Sequence, residues 1–183
     1  SAETVTEATV CAIAFGGAIA AGRANYHDLL TSVIDGYSLS TLTGNVFSAT
    51  GISAKGGTIP SFSFDNTNQV ADAGAYAQGG AVYAREILNG VSGNLFFGTS
   101  ATAVGGTVMY SGNFSGKAVI YVSGVATGGA LHASRLSGDV TSNVFSGITA
   151  TAFGGTATLH GNATSAIDAD ASARAYGGAL STD

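Results

Sequence analysis

Asp168 and Asp170, with Arg174 close behind in IDADASAR, are where this sequence comes nearest to chemistry. Two carboxylates two residues apart share one face of a strand, and such a pair can act as acid and base or hold Ca²⁺. The residues 49 positions earlier are Val119 and Tyr121, so the pair is not part of any recurring pattern and reads as solvated surface charge. His132 and His160 stand 28 residues apart, in what the repeat described below makes adjacent coils, and His27 lies far upstream. No Ser/His/Asp set can be assembled from these spacings, and no His-x-x-x-His or Cys-x-x-Cys pattern occurs. Cys11 is the single cysteine; it cannot form an internal disulfide and reads as a small buried apolar group. The expectation is a protein that is not an enzyme and takes no cofactor and no metal. Asn113-Phe-Ser and Asn162-Ala-Thr are candidate N-glycosylation sequons at matching places 49 residues apart.

Composition narrows the classes further. The 183 residues are 45% hydrophobic and only 9% charged, a profile opposite to that of disordered chains. A net charge of −5 with six basic residues leaves no electrostatic footprint for nucleic acid or an anionic membrane. No apolar run approaches the roughly 18 residues of a membrane span. One domain, 1–183, is expected.

The elements that would position any site come from a repeat. Paired glycines begin at Gly16, Gly56, Gly79, Gly105, Gly128, Gly154 and Gly177, at intervals of 40, 23, 26, 23, 26 and 23. Two positions before each pair stands alanine, including Ala14, Ala103, Ala126 and Ala152. Three positions after the first glycine stands an apolar residue, from Ile19 to Leu180. Constant small or apolar residues alternating with variable ones are the signature of a strand with one buried face. Phe47, Phe96 and Phe145 form a further column, 49 residues apart. Leucine-rich repeats need leucines at fixed offsets and an asparagine ladder, and neither is found. Helical repeats would not tolerate this much Gly, Thr and Val.

The pattern therefore predicts an all-β fold, a parallel β-solenoid wound as a right-handed β-helix. Seven coils of alternating 23 and 26 residues would stack at a rise of about 4.8 Å each. Ala103 would lie directly on Ala126. The 40-residue interval after Gly16 holds about 14 extra residues, placed near 25–38. A short helix is expected there, with Asp28 as N-cap and Leu29, Leu30, Val33 and Ile34 on one face. Joining residue 183 to residue 1 would leave a 22-residue interval, nearly one more coil, and neither end carries a charged capping repeat. Either a longer solenoid or head-to-tail stacking of copies is expected.

The tags GGAI at 16–19, GGAV at 79–82 and GGAL at 128–131 and 177–180 resemble repeats of the chlamydial polymorphic membrane proteins. Where that family carries its companion tag Phe-x-x-Asn, this chain reads FSAT, FFGT and FSGI, with Thr50, Thr99 and Ile148 at the asparagine place. Those proteins are autotransporter adhesins with solenoid passengers, so the resemblance implies an extracellular or cell-surface structural or adhesive role. Its partners would be copies of itself and host or surface ligands. Two other functions fit a solenoid: an ice-binding face, for which Ser53, Thr102 and Thr151 and Thr58, Thr107 and Thr156 align, and a polysaccharide-degrading enzyme. The intervening coils hold Tyr76, Val125 and Arg174 in the first column and alanine in the second, so the threonine lattice is expected to be broken.

Overall fold

The computed structural model describes residues 6–24, 34–36, 38–62, 69–111, 117–161 and 167–182. Among them all regular structure is strand and none is helix. Stretches such as Ser100–Val104 explain why: β-branched and small residues alternate, and paired glycines interrupt each run before a helix could form. The chain first passes through β1 (Thr6–Thr9), β2 (Ala12–Phe15), β3 (Ile19–Ala24), β4 (Ile34–Gly36), β5 (Ser38–Leu39), β6 (Leu42–Thr43), β7 (Val46–Ser48), β8 (Gly51–Lys55) and β9 (Thr58–Phe62). A second passage comprises β10 (Gln69–Asp72), β11 (Ala75–Gln78), β12 (Val82–Ile87), β13 (Val91–Ser92), β14 (Leu95–Phe97), β15 (Ser100–Val104) and β16 (Thr107–Ser111). The third comprises β17 (Ala118–Tyr121), β18 (Gly124–Thr127), β19 (Leu131–Leu136), β20 (Val140–Thr141), β21 (Val144–Ser146), β22 (Thr149–Phe153) and β23 (Thr156–His160). The strands β24 (Ile167–Asp170), β25 (Ala173–Tyr176) and β26 (Leu180–Ser181) begin a fourth.

These strands stack in seven parallel ladders, the arrangement of a parallel β-solenoid. Ladders one to three hold β1-β10-β17-β24, β2-β11-β18-β25 and β3-β12-β19-β26; ladders four to seven hold β6-β13-β20, β7-β14-β21, β8-β15-β22 and β9-β16-β23. The short β5 extends ladder three beside the end of β12, and β4 alone runs antiparallel, against the end of β3.

The register corrects the expected winding. Strand partners in the second and later passages stand a full period of 49 apart, as in Ala103↔Ala152 and Ala77↔Ala126, so one coil contains a short and a long unit together. The coils are thus not the seven short ones expected. Ala103 lies between Ala54 and Ala152, whereas Ala126 lies between Ala77 and Ala175. Ala103 and Ala126 meet across the interior, in one cluster of small side chains. Like-on-like stacking explains the choice: at the long period Phe47, Phe96 and Phe145 superpose, with ring centroids 4.8 and 4.9 Å apart. The shorter winding would set Phe96 against Val70 and Val119 instead.

The coil is pinched where ladders two and six face each other with alanines. Larger side chains fill two lobes on either side. Leu42, Phe47, Val82, Ile87, Phe96 and Leu131 occupy one, and Ile59, Val108, Ile120 and Val122 the other. At the waist the two walls touch backbone to backbone. Gly57, Gly106 and Gly155 donate their N–H groups across the interior to the carbonyls of Val10, Ala73 and Val122, at 3.0, 2.7 and 2.6 Å. A Cβ on Gly105 would come within 1.9 Å of the Val122 oxygen, which is why glycine stands there. The Gly-Gly-Ala pairs do a different job. Their first glycines, Gly16, Gly79, Gly128 and Gly177, have φ of +41°, +70°, +57° and +54° and turn the chain from ladder two to ladder three. A Cβ is obstructed there too, since one on Gly80 would come within 2.0 Å of the Gly129 oxygen, so the left-handed turn is what sets these pairs apart.

Residues 6 and 69 pair 63 apart, but Ser38 and Glu86 pair 48 apart, so the extra residues leave the solenoid between Ala21 and Ser38. Ile34, expected on a helix, instead starts β4, where it registers with Ala24. Residues 25–33 and 37, including His27 and Asp28, lie outside the described residues.

Candidate functional surface

The residues with chemical potential do not converge. Asp168 and Asp170 both lie in β24, in register with Val119 and Tyr121. Asp168 is exposed, but Asp170 is engaged: its Oδ1 accepts the Ser172 N–H at 2.9 Å, and Arg174 lies 4.0 Å from Oδ2. The Ser172 hydrogen bonds, with Arg174 adding a smaller effect, hold its carboxyl below the usual carboxylate range. Two coils away Asp72 does the same, accepting the Gly74 N–H at 2.7 Å. Both carboxylates close the corner between ladders one and two, a backbone role typical of aspartate.

His132 and His160 are not in adjacent coils. They belong to one passage of the chain, in ladders three and seven, because the stretch between them covers little more than half a coil. His132 is 1% exposed and stacks on Tyr83 at 5.6 Å, while His160 is exposed beside Ser111 in the ladder. Cys11 is half-buried rather than buried, with Sγ 3.6 Å from the Asp72 carbonyl oxygen. Burial, then Asp72 and Cys11, push the Tyr76 phenol up, against a smaller pull from the Ser123 hydroxyl. Among the described residues no group of three or more His, Cys, Asp or Glu could hold a metal ion. No helix among them is long and apolar enough to cross a membrane. Asn113 and Asn162 lie outside the described residues.

The repeat-defining residues line the waist and its corners. Gly56, Gly105 and Gly154 join ladders six and seven; Gly16, Gly79, Gly128 and Gly177 join ladders two and three. Ala14 and Ala126 lie in ladder two, and Ala103 and Ala152 in ladder six.

The structure also contains the asparagine ladder that comparison of the short units missed. Asn94 Oδ1 accepts from the N–H and Nδ2 of Asn45, at 2.9 and 3.1 Å. Asn143 Oδ1 accepts the same two bonds from Asn94, at 2.9 and 2.9 Å. Each amide also donates inward to a backbone carbonyl: Asn94 Nδ2 to Leu42 at 2.8 Å and Asn143 Nδ2 to Val91 at 2.8 Å. Its signal was in GNVF at 44–47, GNLF at 93–96 and SNVF at 142–145, visible only at a period of 49.

Ser53, Thr102 and Thr151 are direct ladder neighbours, as are Thr58, Thr107 and Thr156. Tyr76, Val125 and Arg174 do not interrupt them, since those residues lie in ladder two on the opposite wall. What separates the two hydroxyl columns is the Lys55, Val104 and Phe153 column, in which Phe153 is 54% exposed. A bulky ring and an ammonium thus stand between the rows.

No family model matches the chain, and no curated protein or solved structure matches it.

The surface with the strongest physical drive lies along the last complete coil, β20–β23. In ladder four, Val91 is 2% exposed but Val140, its neighbour in the last complete coil, is 42% exposed. Tyr110 is buried and its neighbour Leu159 exposed. At the opposite end the inward residues Leu42, Phe47 and Ile59 are buried, and exposed Val46 lies in the outward row beside Phe47. Among the described residues β6–β9 at that end have ladder partners on one side only, whereas β3 is flanked by β12 and β4.

Proposed function

We propose that the chain is a non-enzymatic structural or adhesive element of an extracellular or cell surface, wound right-handed, whose open ends receive further coils. Those coils come from another copy stacking end to end or from a longer surface adhesin. One observation carries this reading: columns sealed in the middle coil, such as Val91 and Tyr110, continue into exposed Val140 and Leu159 at an unpaired strand edge. Apolar edges of this kind recruit strands. The Gly-Gly-Ala tags support the surface location through their resemblance to the chlamydial polymorphic membrane proteins. Glycans at Asn113 and Asn162 belong to the same proposal, as do host or surface ligands for an adhesive wall.

Electron microscopy with light scattering over a concentration series tests it. Rods that lengthen in multiples of one unit, without turnover of acidic polysaccharides, are expected. Single short rods at high concentration would contradict self-association, and polysaccharide cleavage would contradict the non-enzymatic reading.

A further inference from the structure

We infer that the outer wall of ladders five to seven binds a neutral polysaccharide, an extended and equatorially linked hexose chain lying along the solenoid axis. This rests on the adhesive reading above and assigns it a wall and a partner. The waist sets the shape of the wall. Ladder six forms one side of the waist, and the lobes widen beyond both of its edges. Its outer surface is therefore the floor of a groove between ladders five and seven. Because Ala101 and Ala103 point inward, Thr102 and Val104 point outward onto that floor. The Lys55, Val104 and Phe153 column runs along the groove between the two hydroxyl columns.

A strip with an apolar centre and hydroxyl flanks matches a flat sugar ribbon. Equatorially linked hexoses present C–H bonds on their ring faces and hydroxyl groups along both edges. The ring faces stack on an aromatic side chain, whose π face carries negative charge. Phe153, 54% exposed, is such a platform, and Phe97, 40% exposed in ladder five, stands on the bank. Edge hydroxyls need partners that both donate and accept, which threonine supplies. Thr151 and Thr156 flank Phe153, and Thr102 and Thr107 repeat them in the preceding coil. Coils rise by about 4.8 Å, close to the length of one hexose in an extended chain, so successive sugars meet successive hydroxyl pairs. Charge then selects among polymers. The strands of ladders five to seven contain no aspartate or glutamate, and their titratable side chains are Lys55, His160 and the buried Tyr110. A polyanion would find one lysine on this wall, in a chain of net charge −5, and most of its charges would stay unpaired. The ring that breaks a flat threonine lattice is the feature a sugar face requires.

Affinity electrophoresis of the full chain in native gels tests this, with hydroxyethylcellulose, glucomannan or polygalacturonate cast into the gel. Both neutral polymers are expected to retard the chain, and polygalacturonate to leave its mobility unchanged. Phe153→Ala should weaken the apparent affinity roughly fivefold or more, while Phe153→Tyr, which keeps the ring, should retain it. Thr102→Val with Thr151→Val should weaken it as well. Tyr176→Ala removes an aromatic ring that is 51% exposed on the opposite wall, in ladder two, and should change nothing. Absence of retardation by both neutral polymers overturns the proposal, and faceted ice growth without retardation gives the wall to ice instead. Either result leaves the structural reading standing, since that is judged by whether rods lengthen. Retardation that survives Phe153→Ala but is lost in Tyr176→Ala puts the binding on the other wall and overturns the proposal too. New reducing ends in the retarding polymer would support the wall while contradicting the non-enzymatic reading beneath it.

Discussion

At the scale of the residue, glycine position decides whether a methyl group is tolerated. A Cβ on Gly105 would meet the Val122 oxygen at 1.9 Å, with Gly155 N at 2.5 Å behind it, and neither backbone can yield without opening the waist. Gly93 has φ of +64° but its nearest neighbour is 3.9 Å away. Gly93→Ala should therefore cost only the left-handed penalty, about 1–2 kcal/mol, while Gly105→Ala should cost at least ~4 kcal/mol. Denaturant midpoints of the two variants measure the difference. Thr99 offers the opposite case. It is 0% exposed and its hydroxyl has no hydrogen-bond partner among the described residues. Thr99→Val keeps the shape and removes the orphaned group, so stability should stay level or rise by about 1 kcal/mol. A clear loss would show that the hydroxyl is bonded.

At the scale of the element, ladders are held by repetition of one bonding unit. Asn94 is 0% exposed, accepts from the amide on one side and donates to the one on the other and to two carbonyls. Asn94→Ala strands several buried groups at once and should cost ~3–5 kcal/mol. Asn45→Ala, at the open end, should cost less than half as much by thermal unfolding. The corner between ladders one and two carries a pH signature. Burial and the nearby Asp72 raise the Tyr76 phenol, so its contribution to stability is complete below its ordinary value of 10.0 and is lost as the pH climbs through the raised one. Tyr76→Phe should flatten the fall in unfolding midpoint above that pH; an unchanged slope would refute the assignment.

These elements also show what could be read from the chain. The strands, the inward alanines and the glycine pairs were legible, because period-2 patterning and glycine's freedom are local properties. The winding was not. The short period and the long one both bring alanine over alanine and Gly-Gly over Gly-Gly, and only side chains absent from alternate units discriminate. Phe96 and Asn94 are such residues, and the phenylalanine column was in view at the long period. The Asp72 and Asp170 turns were hidden for another reason: an aspartate bonded to its own chain looks in sequence like one free for chemistry.

At the scale of the whole molecule, each coil is sealed by its neighbours, and columns buried in the middle coil, such as Val91, lie open in the last complete one at Val140. Everything proposed about assembly follows from which wall each unit occupies. That is tested most directly by oxidising two double variants in a Cys11→Ser background and mapping the disulfides by mass. Thr102→Cys with Thr151→Cys places thiols on ladder neighbours, whereas Thr102→Cys with Val125→Cys places them on opposite walls. A coil built from two units predicts an intramolecular disulfide in the first variant and none in the second. A disulfide between positions 102 and 125, with none between 102 and 151, would contradict it.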